Sequence, residues 1–134
     1  MYLHLLNDTA KELFLKVAKA ICSADGKFSD SERFMLVEYC KEMNMLFNAE
    51  PVSEDVTSVI KELAAACDDK EKRIIVLELV GLSLADSEFS VDERTFLKEL
   101  SSLFHISEEY VAKCEELVGR YLTIQQECNQ LVDG

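Results

Sequence analysis

The chain has 134 residues, enough for one domain with a buried core and too few for two ordinary ones. Apolar residues make up 49% of it, with one Pro and four Gly, which excludes a disordered tail and leaves few breakers for the turns of an all-β fold. Twenty-six acidic residues against 14 basic ones give a net charge of −12, which argues against nucleic acid and anionic membrane surfaces and suits a cation or a basic protein partner.

The first residues lack the basic region and cleavage pattern of a secretory signal. A capping box, Thr9-x-x-Glu12, predicts a first helix running to about Ser23. Ser29-x-x-Glu32 opens a second helix, with Met35, Leu36, Tyr39 and Met43 at helical spacing. Residues 47–51, with Asn48 and Pro51, read as a loop. Ser53 caps a third helix that turns Val56, Val59, Ile60 and Leu63 inward. Asp68-x-x-Glu71 starts a fourth, apolar nearly all round and therefore central. Its apolar run, residues 74–85, falls well short of the ~20 residues that span a bilayer, so no direct membrane insertion is expected. Ser90-x-x-Glu93 starts a fifth helix with Phe96, Leu97, Leu100 and Phe104 on its inner face. Ser107 caps a last segment, one long helix or two, with Val111, Cys114, Leu117, Val118, Tyr121 and Leu122 on one side. The expected fold is a single-domain, all-α bundle over residues 1–134.

The chain repeats itself at an offset of 61 residues. Residues 24–33 (ADGKFSDSER) and 85–94 (ADSEFSVDER) share the pattern A-D-x-x-F-S-x-x-E-R, with Leu36/Leu97 and Glu38/Glu99 continuing it. Downstream, Ser53-Glu54-Asp55 resembles Ser107-Glu108-Glu109 once a longer loop is allowed in the first half. Two pseudo-twofold-related repeats follow, one over about residues 9–67 and one over about 68–131. Ala20 and Ala24 align with Gly81 and Ala85, so the first and fourth helices are expected to cross closely at these small residues.

Each repeat carries an Asp at the end of a buried helix and a Glu seven residues on: Asp25/Glu32 and Asp86/Glu93. If both loops lie at one end of the bundle, four carboxylates converge, and like charges held close favour a neutralising cation. Their hard oxygens suit Ca²⁺, Mg²⁺ or Mn²⁺ rather than Zn²⁺. The same residues have a structural reading. Glu32 and Glu93 stand three residues after a Ser and complete capping boxes, and Asp25 and Asp86 can order their turns through backbone amides. The roles are compatible, since a carboxylate has two oxygens. Neither loop is an EF-hand: from Asp25 the sixth and twelfth positions are Asp30 and Leu36, and from Asp86 they are Val91 and Leu97.

The five cysteines are scattered, odd in number and without C-x-x-C, and read as free thiols serving as small core residues in a cytoplasmic protein. Glu78 interrupts the apolar fourth helix and reads as exposed or snorkelling. Pairing with Lys or Arg, or a reach toward the acidic loops, are the alternatives. His105 ends the fifth helix, where it softens the dipole. No catalytic constellation and no phosphate loop is present, so the chain is not read as an enzyme. A metal-free alternative remains, in which the acidic loops only cap helices and the charge steers a basic partner.

The string Ala24-Asp25-Gly26 with Glu32 in the following helix, repeated at Ala85-Asp86 with Glu93, resembles the TerB-like family of tellurite-resistance TerB proteins and the DjlA N-terminal domain. The resemblance spans roughly residues 9–121, and the second copy departs from the pattern with Ser87 where the first has Gly26. It implies a bundle of paired helical units and a metal site at Asp25, Glu32, Asp86 and Glu93. It also implies a role in bacterial stress response and a membrane-associated protein partner, beside the basic partner that the net charge suits.

Overall fold

The structure is a computed structural model that describes residues 1–23, 29–48, 50, 52–84 and 90–134. A 3₁₀ turn, Leu3–Leu5, precedes six helices: α1 Asp8–Cys22, α2 Asp30–Glu42, α3 Val56–Ala66, α4 Asp69–Ser83, α5 Val91–Leu103 and α6 Glu108–Asp133. The described residues contain no strand.

Helix α4 lies at the centre, as its all-round apolar sequence requires. Ile74, Ile75, Val76, Leu79, Val80 and Leu82 are buried, and α1, α2, α5, α6 and the 3₁₀ turn all pack on it. Helix α1 packs chiefly on α3, and α4 chiefly on α6. Phe14 of α1 is fully buried, with its ring tilted 58° against Tyr39 of α2 at 5.7 Å. The Tyr39 hydroxyl donates to the backbone carbonyl of Glu78 at 2.9 Å, which joins α2 to α4.

The 61-residue offset is visible in the backbone. Helix α1 and helix α4 begin and end at matched positions, and so do α2 and α5. Both second helices end alike, with Asn44 (φ 57°) and His105 (φ 58°) in the left-handed region. The Met45 N–H reaches Cys40 O at 2.8 Å, and the Ile106 N–H reaches Ser101 O at 2.9 Å. These are Schellman ends, which tie down carbonyls that the helix leaves unpaired. His105 is thus the residue beyond the helix rather than its last turn, and its side chain is strained by the positive φ. His105→Gly should stabilise the fold by about 0.5–1 kcal/mol, read as a rise in Tm; a fall would contradict the strain.

Two helix starts differ from the sequence reading. Helix α1 is capped by Asn7, not Thr9: the Asn7 Oδ1 accepts the Ala10 N–H at 2.9 Å. Asn7 is held there by Glu71, which accepts both its backbone N–H (2.8 Å) and its Nδ2 (3.0 Å). Helix α3 is capped by Asp55, not Ser53, since Asp55 Oδ2 accepts from the Ser58 N–H (3.2 Å) and hydroxyl (3.1 Å). The close crossing at Gly81 is also corrected. A methyl group there would meet only the Tyr39 hydroxyl, at 3.8 Å, so Gly81 faces α2 and not α1. Ala24 and Ala85 lie outside the described residues, as do Ala49 and Pro51 of the expected loop.

Candidate functional site

The acidic site begins at the two matched helix starts. Ser29 Oγ accepts the Glu32 N–H at 3.0 Å, and the Ser29 N–H donates to Glu32 Oε1 at 3.2 Å. Ser90 and Glu93 repeat this at 3.0 and 3.1 Å. Both Glu residues therefore close capping boxes, as the spacing predicts. Capping does not account for their burial. Each is only 5% exposed. The third capping box of the chain shows the contrast: Glu71 of α4 stays half-buried while serving Asp68 and Asn7. A buried carboxylate is costly unless compensated by charge or hydrogen bonds.

Asp25 and Asp86 lie outside the described residues, so the structure places two of the four candidate ligands, Glu32 and Glu93. Among the described residues, no group of three or more His, Cys, Asp or Glu is arranged to hold a metal ion. The donor chemistry of the two placed residues fits a hard cation. Each is a buried carboxylate that follows, in sequence, a loop carrying an Asp; its Oε1 accepts the capping bond, and it makes interactions beyond that bond.

The arginines next in sequence act structurally. Arg94 of α5 grips Glu115 of α6 through both terminal nitrogens, at 2.7 and 3.3 Å. Arg33 lies over the Phe47 ring, 5.7 Å from its centroid.

Glu78 is not exposed. It is 6% accessible, and its Oε1 accepts the Met1 ammonium at 2.8 Å and the Tyr2 N–H at 2.9 Å. Glu42 of α2 holds the same ammonium at 3.2 Å. Burial pulls the amine down, but the two carboxylates more than reverse this and leave its pKa above the ordinary 8.0. A groove of about 650 Å³ opens beside this pair, between α2, α4 and α6. Met35, Leu77 and Leu122 give it an apolar wall, and its polar edge is made of Glu38, Glu42 and Glu78 with their partners Lys41 and the Met1 ammonium. Sequence reasoning missed this groove. The available signal was that Glu78 is the one carboxylate within the apolar stretch of α4, residues 74–83, where most of its neighbours are buried.

Four of the cysteines behave as core residues: Cys22, Cys40 and Cys114 are buried and Cys67 partly so. Burial raises the thiol pKa of Cys40 and Cys114, and burial with Glu71 and Asp68 nearby raises that of Cys67 to about 11. Such thiols are poor nucleophiles at neutral pH. Cys128 departs from the expectation, for it is exposed on α6. No helix among the described residues is long and apolar enough to cross a membrane.

A family model described as tellurite resistance protein TerB matches residues 41–116, more than half of the chain. The match covers α3, α4, α5 and the start of α6, including Asp86 and Glu93. Asp25 and Glu32 fall outside it. No curated protein and no solved structure matches the chain.

Proposed function

The chain belongs to the TerB family, and from that premise we propose that it is a non-enzymatic, cytoplasmic domain of bacterial stress response that holds one divalent cation between its two acidic loops. Asp25, Glu32, Asp86 and Glu93 are its ligands, and Ca²⁺, Mg²⁺ or Mn²⁺ is the ion. The observation that carries this reading is the pair of buried carboxylates, Glu32 and Glu93, at equivalent places in a duplicated hairpin. An ion shared by both loops would tie the first repeat to the second.

Binding to the folded state alone stabilises it by RT ln(1 + [L]/Kd), about 2.7 kcal/mol at a hundredfold excess over Kd. The native chain should therefore melt higher with one of the three ions than with EDTA. Glu32→Gln combined with Glu93→Gln is the informative variant, because Gln can also close a capping box. It should keep its fold in EDTA and lose the response to the ion.

The groove beside Glu42 and Glu78 supports a second reading, in which the domain is a metal-free module for a basic protein partner. Its apolar wall suits the apolar face of an amphipathic helix, and the net charge of −12 steers a basic one. Identical melts of the native chain with each ion and with EDTA would favour this reading over the first.

A further inference from the structure

The 26 residues of α6 outrun the bundle. Its first half is anchored by buried Cys114 and Val118, with Tyr110, Val111 and Leu122 packed against the core. Every residue beyond Leu122 is exposed. Along the helix, Cys114, Leu117, Tyr121, Ile124, Cys128 and Leu131 alternate steps of three and four. That is the seam of a coiled coil, in which apolar residues recur every ~3.5 positions. The core covers only the first of them. Leu117, Tyr121, Ile124 and Leu131 are 42, 48, 58 and 84% exposed, and Cys128 is exposed too.

We propose that α6 pairs with α6 of a second copy of this chain as an antiparallel two-helix coiled coil. Charge selects both the occupant and the direction. When Tyr121 lies opposite Ile124 of the partner subunit, Leu117 lies opposite Cys128 of the partner subunit, and the same pairs recur across the twofold axis. Arg120 then flanks Glu127 of the partner subunit, and Glu127 flanks Arg120 of the partner subunit. Two opposite-charge pairs form on a self-complementary surface. Within its own chain, Arg120 pairs with Glu116, one turn back and 3.9 Å away. A parallel, in-register pair would set Arg120 beside Gln125 and Glu127 beside Val132, with no ion pair. It would also crowd two bodies of charge −12 at one end of the rod. The antiparallel pair places these bodies at opposite ends.

The test is sedimentation of the full chain at physiological salt, together with Ile124→Glu. The native chain should show a monomer–dimer equilibrium, and Ile124→Glu should weaken it by roughly tenfold or more. Ile124 is largely exposed, so the monomer should keep its helicity and Tm. Leu117→Cys supplies the direction. Mild oxidation should link residue 117 of one copy to Cys128 of the partner subunit and give a covalent dimer. A native chain that stays monomeric across the concentration series overturns the proposal, as does an oxidised dimer joined only through Cys128 to Cys128.

Discussion

Phe14→Ala should cost about 4 kcal/mol and lower Tm by roughly 10–15 °C. Phe14 is inaccessible to solvent, and its ring is tilted against Tyr39. Truncation removes the transfer energy of the ring and leaves a cavity that neighbouring helices fill only in part. The damage extends to a hydrogen bond. Tyr39 is held between Phe14 and the carbonyl of Glu78, and its burial keeps the phenol well above its ordinary pKa and thus protonated as a donor. A ring free to tilt into the cavity loosens the contact of α2 with α4. Chemical denaturation of the variant measures the effect. A loss below about 1.5 kcal/mol would show that α1 and α2 are not locked through this ring, since Phe→Ala in a rigid core costs at least twice that.

Glu78→Ala should be the second large effect, about 3 kcal/mol near neutral pH. Hydrogen bonds to charged groups are worth about 1.5–3 kcal/mol each, and the variant loses two while leaving the Tyr2 N–H without its acceptor. The ammonium is half-exposed and recovers part of its hydration, which keeps the figure below that for a fully buried pair. The pH dependence has a definite sign. The Met1 amine has a raised pKa in the folded state, so its contribution is complete below the unfolded value near 8 and fades as pH rises through the folded value. The gap between native chain and variant should therefore narrow above pH 8. Parallel denaturation series at neutral and alkaline pH check this. A gap that widens with pH would contradict the pairing.

The helix starts at Ser29, Asp68 and Ser90 are legible in the sequence because the capping box is a local, reciprocal device: both partners lie within four residues. The starts of α1 and α3 are not, because two competent caps lie side by side. Thr9 and Asn7 are both able to cap, and Glu71, 64 residues away, fixes the choice. Ser53 and Asp55 are likewise two competent caps close in sequence, of which the helix uses Asp55. The burial of Glu78 is not legible for a related reason. Its partners, Met1 and Tyr2, lie more than seventy residues off, and no local pattern announces them. In α6 the spacing of apolar residues is the same where the core covers them and where it does not, so only the structure separates Val118 from Ile124. For the acidic loops, spacing shows that Glu32 and Glu93 are caps, while their burial is a tertiary property that no local pattern announces. The repeated string is legible at an offset of 61 residues, and the bounds of α1 and α4, those of α2 and α5, and the left-handed residues Asn44 and His105 recur at that offset, since like sequence favours like local geometry.

The shared ion is tested most directly by calorimetric titration of Mn²⁺ into the metal-stripped chain and into the Asp25→Asn, Asp86→Asn double variant. One ion bound per native chain and none by the folded variant is the expected result, because a single ion draws on both loops. Two equivalent ions per chain, no binding at millimolar Mn²⁺, or binding that survives in the variant would contradict it.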